Sequence, residues 1–394
     1  MRFLECVDIN PKITMTKGQL YPFVEMANVS TCYRSPDNVE TKPFDSGVKF
    51  QDGDTVIARI TPCLQNGKRF YCQNIGTGFG STEYLVFRPK DDSVDNKYLY
   101  YFMMTDFVKQ SMINSMTGAT GRQRVNNYVF NDIEVCFPDI DIQRRIGEIL
   151  SAYDSLIENN QKQIKLLEEA AQRLYKEWFV DLHFPGWENT KIVDGVPEGW
   201  EKSPVGKYLK VKSGYAFKSG WWQKSGYPVV KIKNIVGNIV DISDVDYVAP
   251  ERTYKIPDFR LQKGDVVIAM TGATIGKVGL VPDIDNLFTN QRVGKIFPCD
   301  EITNPTPFAF CFYSQEAVQE RVLAISSASS AQPNISGGQL ESFTIIANIK
   351  MLNLYCKCTQ PNFDRINALL KQNRMLIQAR DRLLPKLMSG EIEV

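Results

Sequence analysis

Two stretches of the chain carry apolar residues at alternating steps of three and four. The first runs from about Ile142 to Asp181, with its seam at Leu150, Tyr153, Ile157, Asn160, Ile164, Leu167, Ala171, Leu174 and Trp178. The second runs from about Phe363 to Leu387, through Ile366, Leu369, Asn373, Leu376, Arg380, Leu383 and Leu387. This is the heptad spacing of helices that bury one stripe. Left alone, either stripe would lie in water, so each needs cover. Two such helices in one chain, each following its own domain, predict an antiparallel pair. Placing Asn160 on Asn373 brings Ile164 onto Ile377 and Leu174 onto Leu387. A buried asparagine costs stability and fixes register, the role assigned to these two.

Outside the helices the pattern shifts to short β-type runs behind turn signals, such as Thr55–Ala58 after Asp52-Gly53 and Val266–Ala269 after Lys263-Gly264. These runs belong to an internal repeat. Tyr21–Val29 reappears at Tyr227–Ile235, Gly53–Ala58 at Gly264–Ala269, and the aromatic segment Tyr98–Phe102 at Phe308–Phe312. The helices are the fourth match, in the same order. The fold class expected is α+β: two strand-rich α/β domains joined by two long antiparallel coiled-coil helices, with a pseudo-two-fold internal repeat. The segments expected are a domain at 1–140, a helix at 141–182, a linker at 183–196, a second domain at 197–348 and a second helix at 349–394. Each domain is expected to hold one amphipathic helix, near Lys97–Ser115 and Pro307–Ile325.

Composition narrows the class. Hydrophobic residues make up 43% and charged residues 23% of 394, as in ordinary globular proteins. No apolar run is long enough to cross a membrane, and Arg2, Glu5 and Asp8 argue against a signal peptide. A cytoplasmic protein that makes no membrane contact is expected. Nine scattered cysteines and one histidine argue against zinc and for reduced, packed thiols. A net charge of +1 leaves nucleic-acid binding to local patches.

Catalytic signatures are missing. Gly272–Val278 has one residue too few between its glycines for a phosphate loop and no Ser/Thr after Lys277. Neither the Asn/Asp-Pro-Pro-Tyr tetrapeptide of amino-methyltransferases nor a Gly-x-Gly-x-x-Gly cofactor loop is present. His183, beside Phe184 and Pro185, reads as a stacked or surface residue. Two domains without reaction machinery point to binding, with no catalytic residue, metal or cofactor on this chain.

Basic and amide residues gather in matching loops of both repeats. The first offers Arg59, Thr61, Lys68 and Arg69, then Arg122, Gln123 and Arg124. The second offers Thr271, Thr274 and Lys277, then Gln291 and Arg292, then Gln332 and Asn334. Arginine reads guanine, and Gln or Asn reads adenine, through paired hydrogen bonds. Lys, Ser and Thr suit phosphates. These residues are the candidate DNA-binding set.

Leu174–Asp181, Gly264–Ala269 with Thr271–Gly276, and Arg380–Ile392 give the whole chain a recognisable pattern. It resembles the specificity subunit of type I DNA restriction–modification enzymes. The first domain departs from that pattern at Thr61–Lys68, as two domains reading different bases would. The resemblance implies a bipartite, asymmetric double-stranded DNA target, one half read by each domain, with an unspecified spacer set by the helices. It further implies two methyltransferase subunits docked on the helices. S-adenosylmethionine, and the ATP and Mg used when two restriction subunits also join, would sit on those partners. The competing reading is a coiled-coil scaffold joining two protein-binding modules without a role at DNA.

Overall fold

The computed structural model describes residues 1–119, 121–327 and 333–394. They form two compact bodies, Met1–Asn160 with Asn373–Val394, and Gln161–Gln372. Each long helix, Ile140–Phe179 and Ile349–Met388, therefore contributes one half to each body. The second helix starts at Ile349, ahead of the heptad stripe read from about Phe363, and runs through Pro361. A proline there removes one backbone donor. Tyr355 and Cys356 before it, and Phe363 and Ile366 after it, are fully buried, and that packing keeps the helix going.

In the first body an antiparallel sheet is ordered Val7–Ile9, Tyr84–Pro89, Thr55–Ala58, Arg69–Tyr71. A second sheet holds Glu40–Pro43, Leu20–Val24, Gly78–Gly80 and Val48–Phe50, with Leu20–Val24 and Gly78–Gly80 parallel. Alternate residues of the central strand face opposite cores. Ile57 joins Phe87, Leu99 and Phe130, while Val56 joins Val24, Phe50 and Phe70.

The second body repeats the first sheet as Leu209–Ser213, Val293–Pro298, Val266–Ala269, Val278–Leu280, and extends it by Ile239–Val240 and Ile235–Val236. A five-stranded sheet around Tyr227–Val230 accompanies it. In both bodies the expected single amphipathic helix is two. Asn96–Phe102 is followed by Asp106–Asn114, and Thr306–Tyr313 by Glu316–Ser327. The leading helix is buried nearly all round and the trailing one on a single face, so no single straight helix serves both. The Thr105 hydroxyl donates to the Phe102 carbonyl at the first break.

The helix halves pair antiparallel within each body. In the first, Ile146 and Leu150 pack with Leu384 and Leu387, and Asn160 Nδ2 donates to Asn373 Oδ1 at 2.8 Å. In the second, Tyr355 donates to the Ala171 carbonyl at 2.9 Å and Arg365 to Gln163 at 3.3 Å. Ile157, Ile164, Ile366 and Leu369 are buried as expected. Tyr153, Leu167, Leu174, Leu376 and Leu383 are only half-buried, whereas their neighbours Asp154, Glu168, Tyr175 and Leu384 are buried. Each half-helix covers its own globular domain as well as its partner helix, so the buried face is wider than a two-helix seam.

That wider face accommodates charge. Asp154 and Arg380 form an ion pair with side-chain exposures of 1% and 2%. Tyr101 donates to Asp154 at 2.5 Å. Arg34 grips Glu158 with two bonds, Nε at 3.0 Å and Nη2 at 2.8 Å. The corresponding region of the second body is aromatic: Tyr175 lies 5.7 Å from Tyr355 and 6.3 Å from Phe308 between ring centroids. Glu168 is buried there, and its carboxylate accepts from Asn238 Nδ2 at 3.1 Å. Burial pushes this carboxyl up to about 7, the Asn238 bond opposing and Glu169 adding to the shift.

Two predictions follow from these buried charges. Arg380→Met leaves Asp154 buried without its cation and is expected to destabilise the protein by about 3–5 kcal/mol. Adding Asp154→Asn should restore most of the loss in a urea titration; a single variant as stable as the parent contradicts the account. For Glu168 the folded protein holds its proton more tightly than the unfolded chain, whose ordinary value is 4.5. Stability should therefore fall as pH rises from that value to about 7, then stay level. Glu168→Gln, which keeps the acceptor for Asn238, should remove this fall between pH 5 and 8; a pH profile matching the parent's rules the idea out.

Candidate nucleic-acid interface

The candidate loops meet where the central strand of each body ends. Both strands enter from a turn whose glycine has positive φ, Gly53 at 92° and Gly264 at 84°. The next residue is an aspartate that accepts from the backbone three positions earlier. Asp54 takes Gln51 N–H at 2.8 Å and Asp265 takes Gln262 N–H at 2.7 Å. Each aspartate also holds a cation of the neighbouring strand, Arg88 for Asp54 and Lys295 for Asp265, both at 2.6 Å. The Gly-Asp pair thus sets the strand's entry.

At the exit, four backbone bonds recur in both bodies. Ala58 N–H donates to Lys68 O, and Ala269 to Lys277 O. Arg59 donates to Glu83 O, and Met270 to Arg292 O. Val125 donates to Arg59 O, and Ile335 to Met270 O. Thr61 donates to Gln123 O, and Gly272 to Pro333 O. Isolated bridges join Ile60 to Arg124 and Thr271 to Asn334. Three segments distant in sequence therefore converge at one edge in each body.

Arg59, Thr61, Lys68, Arg69, Gln123 and Arg124 lie at the first edge. Arg122 is exposed on the adjoining turn, where its N–H donates to Ala119 O. Thr271, Thr274, Lys277, Gln291, Arg292 and Asn334 lie at the second. Gln332 falls outside the described residues. Side-chain engagement sorts the set. Lys68 Nζ is tied to Met26 O at 2.7 Å, Arg59 Nη2 to Val125 O at 3.0 Å and Arg69 Nη1 to Gly67 O at 2.9 Å. Arg122, Lys277 and Arg292 are exposed, and no side-chain hydrogen bond occupies their cationic heads among the described residues.

The equivalences expose a residue the sequence reading missed. Glu83 occupies the place of Arg292, and Arg124 that of Asn334. Arg124 Nη2 lies 2.6 Å from Glu83 Oε1. The hydrogen bond from Arg124 holds the Glu83 carboxyl below its usual range. The same backbone frame therefore presents an ion pair in one body and, in the other, an amide beside a guanidinium that has no ion-pair partner among the described residues. The repeat offset carried that signal, since Glu83 stands before Tyr84 much as Arg292 stands before Val293 at a strand's start. Among the described residues, four buried polar atoms at these edges have no hydrogen-bond partner: Arg59 Nε, Arg69 Nε, Thr271 Oγ1 and Thr274 Oγ1. Leaving such a group unsatisfied costs about 1–3 kcal/mol.

Elsewhere the structure offers little chemistry. Among the described residues no group of three His, Cys, Asp or Glu side chains is arranged to hold a metal, and no helix is long and apolar enough to cross a membrane. The His183 ring packs against Trp187 with centroids 4.5 Å apart and the planes tilted by 40°.

Two copies of one plan, each with a polar edge of its own charge pattern, define a two-module recognition protein. Comparison with known sequences says which kind. Residues 11–169 and 197–347 match the family described as type I restriction modification DNA specificity domain, and the chain belongs to that family. It is 27% identical over 315 residues to the type I restriction enzyme MjaIX specificity subunit of Methanocaldococcus jannaschii, covering 78% of this chain and 71% of that one. It is 23% identical over 422 residues to the HindI specificity subunit of Haemophilus influenzae, covering 90% of each. Its fold is similar to the crystal structure of the S subunit of a type I restriction-modification system from M. genitalium, with TM-score 0.53, 17% identity, and 98% and 95% of the two chains covered. The protein is a DNA target specificity subunit of a type I restriction–modification system, and specificity subunits are the non-catalytic component.

Proposed function

We propose that each body reads one half of a bipartite, asymmetric double-stranded DNA target, with an unread spacer whose length the helices set. The observation that carries this is the shared backbone frame at the two strand ends with different side chains on it. A common frame gives both edges the same approach to DNA, and different side chains give different bases. Arg292 and Gln291 suit guanine and adenine edges, and Lys277 suits a phosphate. In the first body Arg122, Gln123 and the Glu83–Arg124 pair take the same roles, with Arg59, Thr61, Lys68 and Arg69 shaping the edge behind them. Thr271, Thr274 and Asn334 do so in the second.

The helices are the proposed dock for two methyltransferase subunits. Leu156 and Met375 in the first body are 49% and 60% exposed, and Leu166 in the second is 64% exposed. Such residues on a long helix are suited to a protein partner. S-adenosylmethionine binds those partners in this reading. Two restriction subunits with ATP and Mg complete the assembly where they are present.

Lys277→Ala is expected to weaken DNA binding by a similar factor on every sequence and to lower the salt slope by about one. Arg292→Ala should instead relax one base position within one half-site, costing about 1–3 kcal/mol there. Unchanged affinity and unchanged preference in both variants would remove these loops from the interface. The chain purified alone is expected to show no methyl transfer with S-adenosylmethionine and no cleavage with ATP and Mg. Turnover that survives stringent removal of other subunits would contradict that.

A further inference from the structure

The first body has an open groove where the second is packed shut. In the second, the helix Gly337–Glu341 sits directly on the edge strand Leu209–Ser213. Glu341 Oε1 accepts from Val211 N–H at 2.9 Å. A Cβ on Gly337 would come within 2.3 Å of the Val211 carbonyl oxygen, so glycine there permits the close approach. The counterpart segment of the first body is the 3-10 turn Asn127–Asn131, and the counterpart edge strand is the shorter Val7–Ile9. No hydrogen bond joins these two among the described residues, and between them lies a groove of about 910 Å³.

The groove is continuous with the candidate interface, because Arg59 and Arg124 are among the residues that line it. Asn127, Tyr128 and Asn131 also line it, as do Lys90 and Asp8. All three turn residues are exposed, Tyr128 at 76%, and none has a side-chain hydrogen bond among the described residues. Lys90 is held toward the groove by Leu4 O at 2.7 Å, with Asp8 at 3.8 Å leaving it only loosely neutralised.

We infer that this groove seats the sugar–phosphate backbone of one DNA strand beside the first half-site, giving the first body a contact that the second lacks. A concave surface cannot enter a DNA groove to read base edges, but it accepts the convex backbone ridge. Amide, phenol and ammonium donors are the groups that hold phosphate oxygens. Tyr128 and Asn131 position the strand there, and Lys90 supplies charge. This rests on the DNA-reading assignment above and adds an asymmetry to it.

The test uses the full chain assembled with its methyltransferase subunits on DNA bearing the selected target. Tyr128→Ala and Asn131→Ala should each weaken binding about three- to tenfold, with unchanged base preference and unchanged assembly with the methyltransferase. Lys90→Gln should lower the salt slope by about one. Hydroxyl-radical footprints of these variants should lose backbone protection on one flank of the first half-site only. If affinity and footprint stay unchanged while Lys277→Ala still weakens binding, the groove proposal fails and the reading of the loops stands. If no variant matters, Lys277→Ala included, both fail. A changed base preference, or a lost methyltransferase subunit, would assign the groove to base reading or to a protein partner and overturn the proposal.

Discussion

An apolar stripe along a 40-residue helix cannot be left in water, and burying two such stripes organises everything else in this protein. Each helix gives one half to each body; the second body is the continuous stretch Gln161–Gln372, whereas the first needs two separate stretches of sequence. The first closes only when Asn373–Val394 returns to Met1–Asn160. Leu384 and Leu387 then cover Ile146 and Leu150, and Arg380 meets Asp154. An antiparallel arrangement of the halves gives both domains the same kind of support. A strand buried on both faces therefore ends at a comparable polar edge in each.

The two copies share a backbone plan and differ in what they bury. The first body meets its helices with ions and phenols, through Arg34, Tyr101, Asp154, Glu158 and Arg380. The second meets them with rings, through Tyr175, Phe308 and Tyr355. A buried ion pair is costly to break on one side, so Arg380 and Asp154 tie together the two half-helices of the first body. The polar edges diverge in the same way, Glu83 with Arg124 against Arg292 with Asn334. A protein reading an asymmetric target needs two such unlike edges on like frames.

Much of this was legible in the sequence because it is periodic. The heptad steps placed both helices, and the repeated Gly-Asp turn and central strand placed the loops that converge. The heptad stripe of the second helix was legible only from about Phe363, since Pro361 reads as a stop while buried Tyr355 and Phe363 hold the helix through it. The seam was misplaced by one residue at Tyr153, Leu167 and Leu174 because heptad spacing assumes a single partner helix. Asp154 and Glu168 stand one residue beside that seam, so heptad spacing gives no sign of their burial. Which loop residues are tied to carbonyls, as Lys68 is, and which are exposed, as Lys277 and Arg292 are, depends on contacts across dozens of residues. No local spacing carries that.

The central claim is that two unlike edges on one chain read two separate pieces of DNA. Binding-site selection from random duplexes, with the full chain and its methyltransferase subunits at stated salt, tests it directly. The account predicts two specified elements of different sequence separated by an unspecified spacer of constant length. A single contiguous element, a palindrome, or no enrichment over random DNA would contradict it.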